Sequence, residues 1–331
     1  MGRTVSIALA TYNGGRFLRE QLESYLAQTR LPDELVVGDD GSSDDTLAIL
    51  EEFSKRAPFP VHVRCNAVAK GPARNFFETA QRCSGDVIFF SDQDDRWLPG
   101  KIEALLAQFS ADPGCWLATH DAALCDAGLQ PSGLTMGGQI EAASGGLASR
   151  DLVAGCCMAF DKRLLRLANP LPRARQHDAY LAHAAEALGL RRYLPEVLID
   201  YRRHGANVSA SFMSDFRPAS TFARFVTRLR RAAAEPVGDA LEWAVGTSED
   251  LLQALERERD RLLDVAPRNV LDRTIADLSA KLLIDRRRLA IHRSRPLARP
   301  LLLAKALGSG TYRGTDGVFS FLRDLAGILA R

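Results

Sequence analysis

Over the first 120 or so residues, short β-type runs alternate regularly with segments of helical periodicity. Residues 4–10, 35–38, 61–64, 86–90 and 116–119 read as strands, and 16–27, 44–56, 72–83 and 99–109 read as helices. Parallel strands need a crossover of a dozen or more residues, usually a helix, so this rhythm predicts an α/β domain built on a mostly parallel central sheet. Helix-start chemistry agrees: Ser43 or Asp44 can cap the second helix, and Pro72 and Pro99 sit where a first helical turn tolerates proline. Ligands of open α/β sheets bind beyond the carboxyl ends of the strands. Those ends carry Thr11-Tyr12-Asn13-Gly14, then Asp39 through Ser43, then Ser91 through Asp95, so three polar loops are expected to converge on one edge.

The third of these loops holds the densest chemistry. After Phe89-Phe90, three carboxylates, Asp92, Asp94 and Asp95, fall within four positions. Two carboxylates about 4 Å apart at an effective dielectric of about 20 repel by roughly 4 kcal/mol. Such a cluster needs a bound cation, shared protons or full solvation. Hard oxygen donors without neighbouring Cys or His in the sequence favour Mg2+ or Mn2+, which usually accompany phosphate. A solvated Asp-rich turn is the plainer alternative. An EF-hand does not fit, because the glycine it needs at loop position six would be Trp97.

With 331 residues and 46% hydrophobic content, the chain supports a sizeable core. A net charge of +2 and the absence of base-reading modules argue against nucleic acid as a partner. Six cysteines without C-x-x-C spacing suggest a reducing compartment and buried small side chains. Gly2-Arg3 leads directly into a strand, with no signal-peptide pattern, and no run has the length of a membrane span; a cytoplasmic protein is expected. Residues 126–149, rich in Gly and Ser, read as a long loop or irregular insertion, followed by the apolar stretch 152–160. Character changes after Tyr201-Arg202-Arg203-His204-Gly205, and a boundary is placed near 215. Domains 1–215 and 216–331 follow, the second helical and Arg-rich, as in 222–231 and 285–293.

Taken together, several segments resemble glycosyltransferase family 2: Ala10-Thr11-Tyr12-Asn13-Gly14, Asp39 to Thr46, Gly71-Pro72-Ala73-Arg74-Asn75-Phe76, Ser91 to Trp97, His177-Asp178, and Tyr201 to Asn207. Each segment alone is weak, but their order and spacing over 4–208 is specific. The resemblance implies a GT-A fold, a nucleotide-sugar donor, a divalent metal and inversion at the anomeric carbon. It places Thr11, Tyr12, Asn13, Asp40, Gly41, Arg74, Asp92, Gln93, Arg202 and His204 against the donor. Asp40 would take a hydrogen bond from the base, and Arg202 and His204 would close over the diphosphate. Asp92 and Asp94 match the D-x-D element that holds metal, with Asp95 behind them. Asp178 matches the general base, although here His177 precedes it where the family usually has Glu, as in a rhamnosyltransferase-like subset. Helix capping by Asp178 is compatible with that role. Trp97 reads as core.

The resulting expectation is an inverting, metal-dependent hexosyltransferase that moves a sugar to a hydroxyl of a surface polysaccharide or lipid-linked precursor, with dTDP-L-rhamnose as leading donor. A catalytically silent nucleotide-binding scaffold on the same fold is the alternative. The Arg-rich helices beyond 216 suggest either peripheral contact with the inner face of a membrane or a solvated helical cap; oligomeric state is not legible.

Overall fold

The computed structural model describes residues 2–144, 151–205, 237–313 and 317–329. The chain divides into two compact units, Met1–Leu171 with Gln176–Pro218, and Pro172–Arg175 with Ala219–Arg331. The expected boundary near 215 and the Arg-rich stretch 222–231 lie outside the described residues.

In the first unit the anticipated alternation is present: β1 (Val5–Thr11), α1 (Gly15–Leu26), β2 (Glu34–Asp39), α2 (Thr46–Ser54), β3 (Val61–Cys65), α3 (Pro72–Ala80) and β4 (Val87–Ser91). β5 (Arg96–Trp97), α4 (Lys101–Ala111) and β6 (Leu117–Cys125) follow. Strands β3-β2-β1-β4 lie side by side and parallel, in a register that pairs Thr11 with Asp39 and Asp39 with Cys65. The carboxyl ends of β1, β2 and β3 are therefore level, β4 stops two residues short with Ser91 opposite Leu9, and the loops after them open on one edge. β2 is buried along its whole length, as expected for a strand covered on both faces. A Cβ on Gly38 would lie 2.1 Å from Thr79 Oγ1 and 2.5 Å from Asn75 Oδ1, so glycine is what lets α3 seat on β2.

The sheet continues less regularly. β8 (Met158–Asp161) runs antiparallel between β4 and β6, β9 (Arg191–Arg202) pairs parallel to β6, and β5 pairs antiparallel to β9. The expected loop 126–149 instead contains β7 (Pro131–Thr135), antiparallel to β6, and α5 (Met136–Ser144); residues 145–149 are outside the described set. β7 is exposed and glycine-bearing, so no apolar alternation marked it. α6 (His177–Ala187) completes the unit. Trp97 is 2% exposed and packs edge-on to Tyr25 at 5.0 Å, in the core as expected.

The second unit is helical: α7 (Val237–Arg257), a short turn of helix at Arg259–Leu262, α8 (Arg268–Arg293), α9 (Arg299–Gly308) and α10 (Gly317–Leu329). Its polar centre is Asp324, fully buried, which accepts from Arg288 Nε (2.8 Å) and Nη2 (3.0 Å) and from the Tyr312 hydroxyl (2.7 Å), with His292 Nε2 3.2 Å away. Among the described residues, no helix is long and apolar enough to cross a membrane.

Candidate active site

The strand ends of the first unit form the floor of the site. At the end of β1, Thr11 Oγ1 donates to Asp39 Oδ2 at 2.7 Å, and Asn13 takes φ 47°. Asn13 N donates to Ser42 Oγ (2.9 Å), while its Oδ1 accepts from Ser43 N (2.8 Å), tying the loop after β1 to the loop after β2. Burial acts to raise the Asp39 carboxyl, but hydrogen bonds from Ser42 and Thr11 outweigh it and hold the group below the usual carboxylate range. Tyr12 is 56% exposed, and the Gln93 amide brackets its backbone by accepting from Tyr12 N (2.9 Å) and donating to Tyr12 O (3.0 Å). Gly14 permits that approach, since a Cβ there would fall 2.1 Å from Gln93 Oε1.

Asp40 is buried. Its carboxylate accepts from Lys70 N (2.8 Å), Gly71 N (2.8 Å) and Asn66 Nδ2 (3.0 Å), so it anchors the 66–71 loop across the mouth of the strands. Gly41, at φ 87°, makes the turn just after it. Arg74 stands apart on α3, largely exposed, with Nε donating to Glu78 Oε1 at 2.9 Å.

The acidic cluster follows β4. Asp92, Asp95 and Cys156 bring ligand atoms within 4.8 Å of one another. Burial, then the charges of Asp94 and Asp178, raise the Asp92 carboxyl to about 7, against Lys101 and a hydrogen bond from Cys156. Asp95 is fully buried; its Oδ1 accepts from Arg202 N (3.0 Å) while Oδ2 is buried without a partner. Burial and then the Asp94 and Asp92 charges push it well above the carboxylate range. Asp94 Oδ2 lies 2.8 Å from His204 Nε2, and burial raises this carboxyl too, opposed by His204. The expected pair Asp92 and Asp94 thus shares its loop with a tighter grouping that also includes Asp95 and a thiol.

Asp178 lies in the first turn of α6, which begins at His177 with Gln176 at its N-cap, two residues before the Ala179 start that a capping Asp178 requires. Its Oδ2 accepts from Gly155 N at 3.0 Å. Because Cys156 stands beside Asp92 and Asp95, one step of backbone links the acidic cluster to Asp178. His177 packs in an aromatic pocket: it stacks on Phe76 at 3.9 Å and meets Phe90 edge-on at 4.6 Å, and burial pushes its imidazole down to about 4.

Arg202 is placed differently from the expectation that it closes over a ligand. It is 3% exposed, with Nε donating to Asp94 O (2.7 Å), Nη1 to Ala127 O (2.6 Å) and Nη2 to Glu20, and it stacks 4.5 Å from the Phe17 ring centroid. Its guanidinium braces the end of β9 beneath the acidic loop. His204, 4.7 Å from Phe17, is the member of the pair that reaches an acidic side chain of the cluster. Ala206 and Asn207 lie outside the described residues.

Two residues of the site escaped the sequence reading. Lys101, at the start of α4, is fully buried; Nζ donates to Cys156 O at 2.5 Å and sits 3.9 Å from the Trp97 ring centroid. Burial lowers its ammonium to about 8, with the neighbouring thiols and Asp95 and Asp92 opposing. Cys156, like the rest of the cysteines, is unpaired, and its hydrogen bond with Cys157, then burial, hold the thiol protonated. Lys101 read as an ordinary helix-start cation, and only the fold turns it inward.

A family model described as Glycosyl transferase family 2 matches residues 6–166. Among curated relatives, the chain is 26% identical over 221 residues to an uncharacterized glycosyltransferase of Nostoc sp., covering 61% of this chain and 66% of that protein. It is 36% identical over 99 residues to the dTDP-rhamnosyl transferase RfbG of Shigella flexneri, covering 29% of this chain and 34% of RfbG. The chain thus spans less than two thirds of the length of these relatives. The S. aureus TarS 1-349 structure in complex with UDP-GlcNAc aligns with TM-score 0.54 at 14% identity, over 98% of this chain and 89% of that one. Residues 6–166 carry a glycosyl transferase family 2 domain, and the mixed, mostly parallel sheet with its helical C-terminal region is a GT-A fold.

Proposed function

We propose that the protein is an inverting, metal-dependent glycosyltransferase of the cytoplasmic face, moving a hexosyl unit from a nucleotide-sugar donor to a hydroxyl of a polysaccharide or lipid-linked precursor. The observation that carries this reading is the link between the two acidic centres: Gly155 N holds Asp178 while Cys156, the next residue, touches the cluster of Asp92 and Asp95. A base held close to an anion-stabilising centre is what a direct displacement at a sugar carbon requires.

In this reading Asp178 accepts the proton of the acceptor hydroxyl as its oxygen bonds to the anomeric carbon, and the bond from that carbon to the nucleoside diphosphate breaks. The loops of Thr11, Tyr12, Asn13, Asp40 and Gly41 form the nucleotide floor, Gln93 fixing Tyr12 and Asp40 fixing the 66–71 loop. Arg74 lies at its outer rim. The donor set suits a hard cation, since three carboxylates crowd one loop and Asp95 Oδ2 is buried without a partner. Asp92 and Asp94 would hold Mg2+ or Mn2+, with Asp95 and His204 beside them. When bound, the ion neutralises charge growing on the leaving diphosphate without a proton transfer. The Cys156 thiol is too soft a donor for either metal.

For the donor, dTDP-L-rhamnose leads, supported by the partial likeness to RfbG and by His177-Asp178. Calorimetric titration against nucleoside diphosphates and nucleotide sugars, with Mn2+, with Mg2+ and with chelator, tests the reading. Metal-dependent binding with dTDP preference is expected. No binding of any nucleotide with metal present would move the account to a silent scaffold.

A further inference from the structure

The second unit carries a surface that its own packing does not cover. On α9, Leu303 and Ala306 are buried against Ile291, with Phe321 and Leu325 of α10 packed at the edge. A helix of this size normally offers charged residues on its other side. Here that side is Pro300, Leu301, Ala304, Leu307 and Gly308, all exposed, with Lys305 at the margin. Leu301 is 75% exposed, and Leu297, one turn earlier in the Pro296–Ala298 turn, is 98% exposed. Adjoining large apolar side chains this open mark a surface that meets something.

Charge identifies what. From 286 to 315 the sequence holds eight Lys or Arg and no Asp or Glu. Arg286, Arg288 and Arg293 are neutralised within the unit by Glu249, Asp324 and Glu242. Arg287, Arg295, Arg299, Lys305 and Arg313 have no ion pair among the described residues. Exposed Arg295 and Lys305, neither in an ion pair among the described residues, flank the exposed leucines in the same segment and complement an anionic, apolar-cored surface. A second copy of this chain is a poor match, because a two-fold contact sets each patch against its own like charge.

We infer that the 295–307 segment docks on an anionic lipid bilayer, Leu297 and Leu301 entering the interface while the exposed Arg295 and Lys305 meet the headgroups. Binding of this kind combines buried apolar area with electrostatic attraction, each cation near the surface multiplying the partition coefficient by about fivefold. The inference does not rest on the proposed transferase activity, and nucleotide binding by calorimetry fails or succeeds separately from it.

The test is co-sedimentation of the full-length protein with vesicles of phosphatidylcholine alone or mixed with phosphatidylglycerol, alongside light scattering in solution. The expected result is binding to the mixed vesicles that falls steeply with salt, and little binding to phosphatidylcholine alone. Leu297→Ser with Leu301→Ser, at exposed positions that leave the fold intact, should cut binding at least tenfold. Arg295→Glu with Lys305→Glu should abolish the preference for phosphatidylglycerol. Equal binding by wild type and both double variants would overturn the assignment. So would a dimer in solution that the leucine variant dissolves, since the patch would then face a second copy.

Discussion

Replacing His177 with Met isolates one buried imidazole whose cost can be worked out. His177 is held neutral, its pKa pushed from 6.5 to about 4 by burial between Phe76 and Phe90. A folded pKa below the unfolded value means that the unfolded chain binds the proton first. The neutral imidazole's contribution is therefore complete above the unfolded pKa of 6.5 and is lost as pH falls toward 4. At about pH 5 the linkage amounts to roughly 2 kcal/mol, and near pH 7.5 it is close to zero. Methionine fills a similar volume and does not titrate. Urea unfolding of the two proteins near pH 7.5 and pH 5 should show wild type losing about 2 kcal/mol more than His177→Met on acidification, or roughly 4–8 °C in Tm. Carboxylates that titrate over the same range are common to both proteins and cancel. If the two lost stability in parallel, the imidazole would be taking up its proton inside the fold, and the burial argument would fail.

Two further substitutions probe the scaffold of the site. Gly38→Ala forces a methyl into Thr79 and Asn75 and should destabilise the first unit by about 1–3 kcal/mol in urea titrations. Arg202→Lys keeps the charge but loses the fork that holds Asp94 O, Ala127 O and Glu20; a loss of about 2 kcal/mol is expected, and unchanged stability would show that the brace is dispensable.

The first half of the fold was legible because buried parallel strands read as apolar runs and Pro72 opens α3; the other start signals fell short, since α2 begins at Thr46 after Asp45, not after a Ser43 or Asp44 cap, and Pro99 precedes α4. β9 was not, since Pro195 and Glu196 interrupt it; the sheet absorbs them in a register shift where Asp121 pairs with Val197 after His120 pairs with Leu194. β6 was cut short at Thr119 for a related reason: His120 and Asp121 look like a strand end, yet both are buried, Asp121 accepting from Ala122 N and Gly137 N at 2.7 Å. The acidic loop was visible as a local anomaly. Its partners were not, because Cys156 and Lys101 reach it only when β8 turns back between β4 and β6. Only the family likeness marks Arg202 in the sequence; that its guanidinium is buried and bonded to Asp94 O, Ala127 O and Glu20 is visible only in the fold.

The central claim is that Asp178 is the base of a transfer whose donor is held elsewhere. The direct measurement is Asp178→Asn compared with wild type, reading donor affinity by calorimetry and sugar transfer by product formation, with Mn2+ present. Donor affinity nearly unchanged and transfer abolished is the predicted result. Normal turnover by Asp178→Asn would contradict the account.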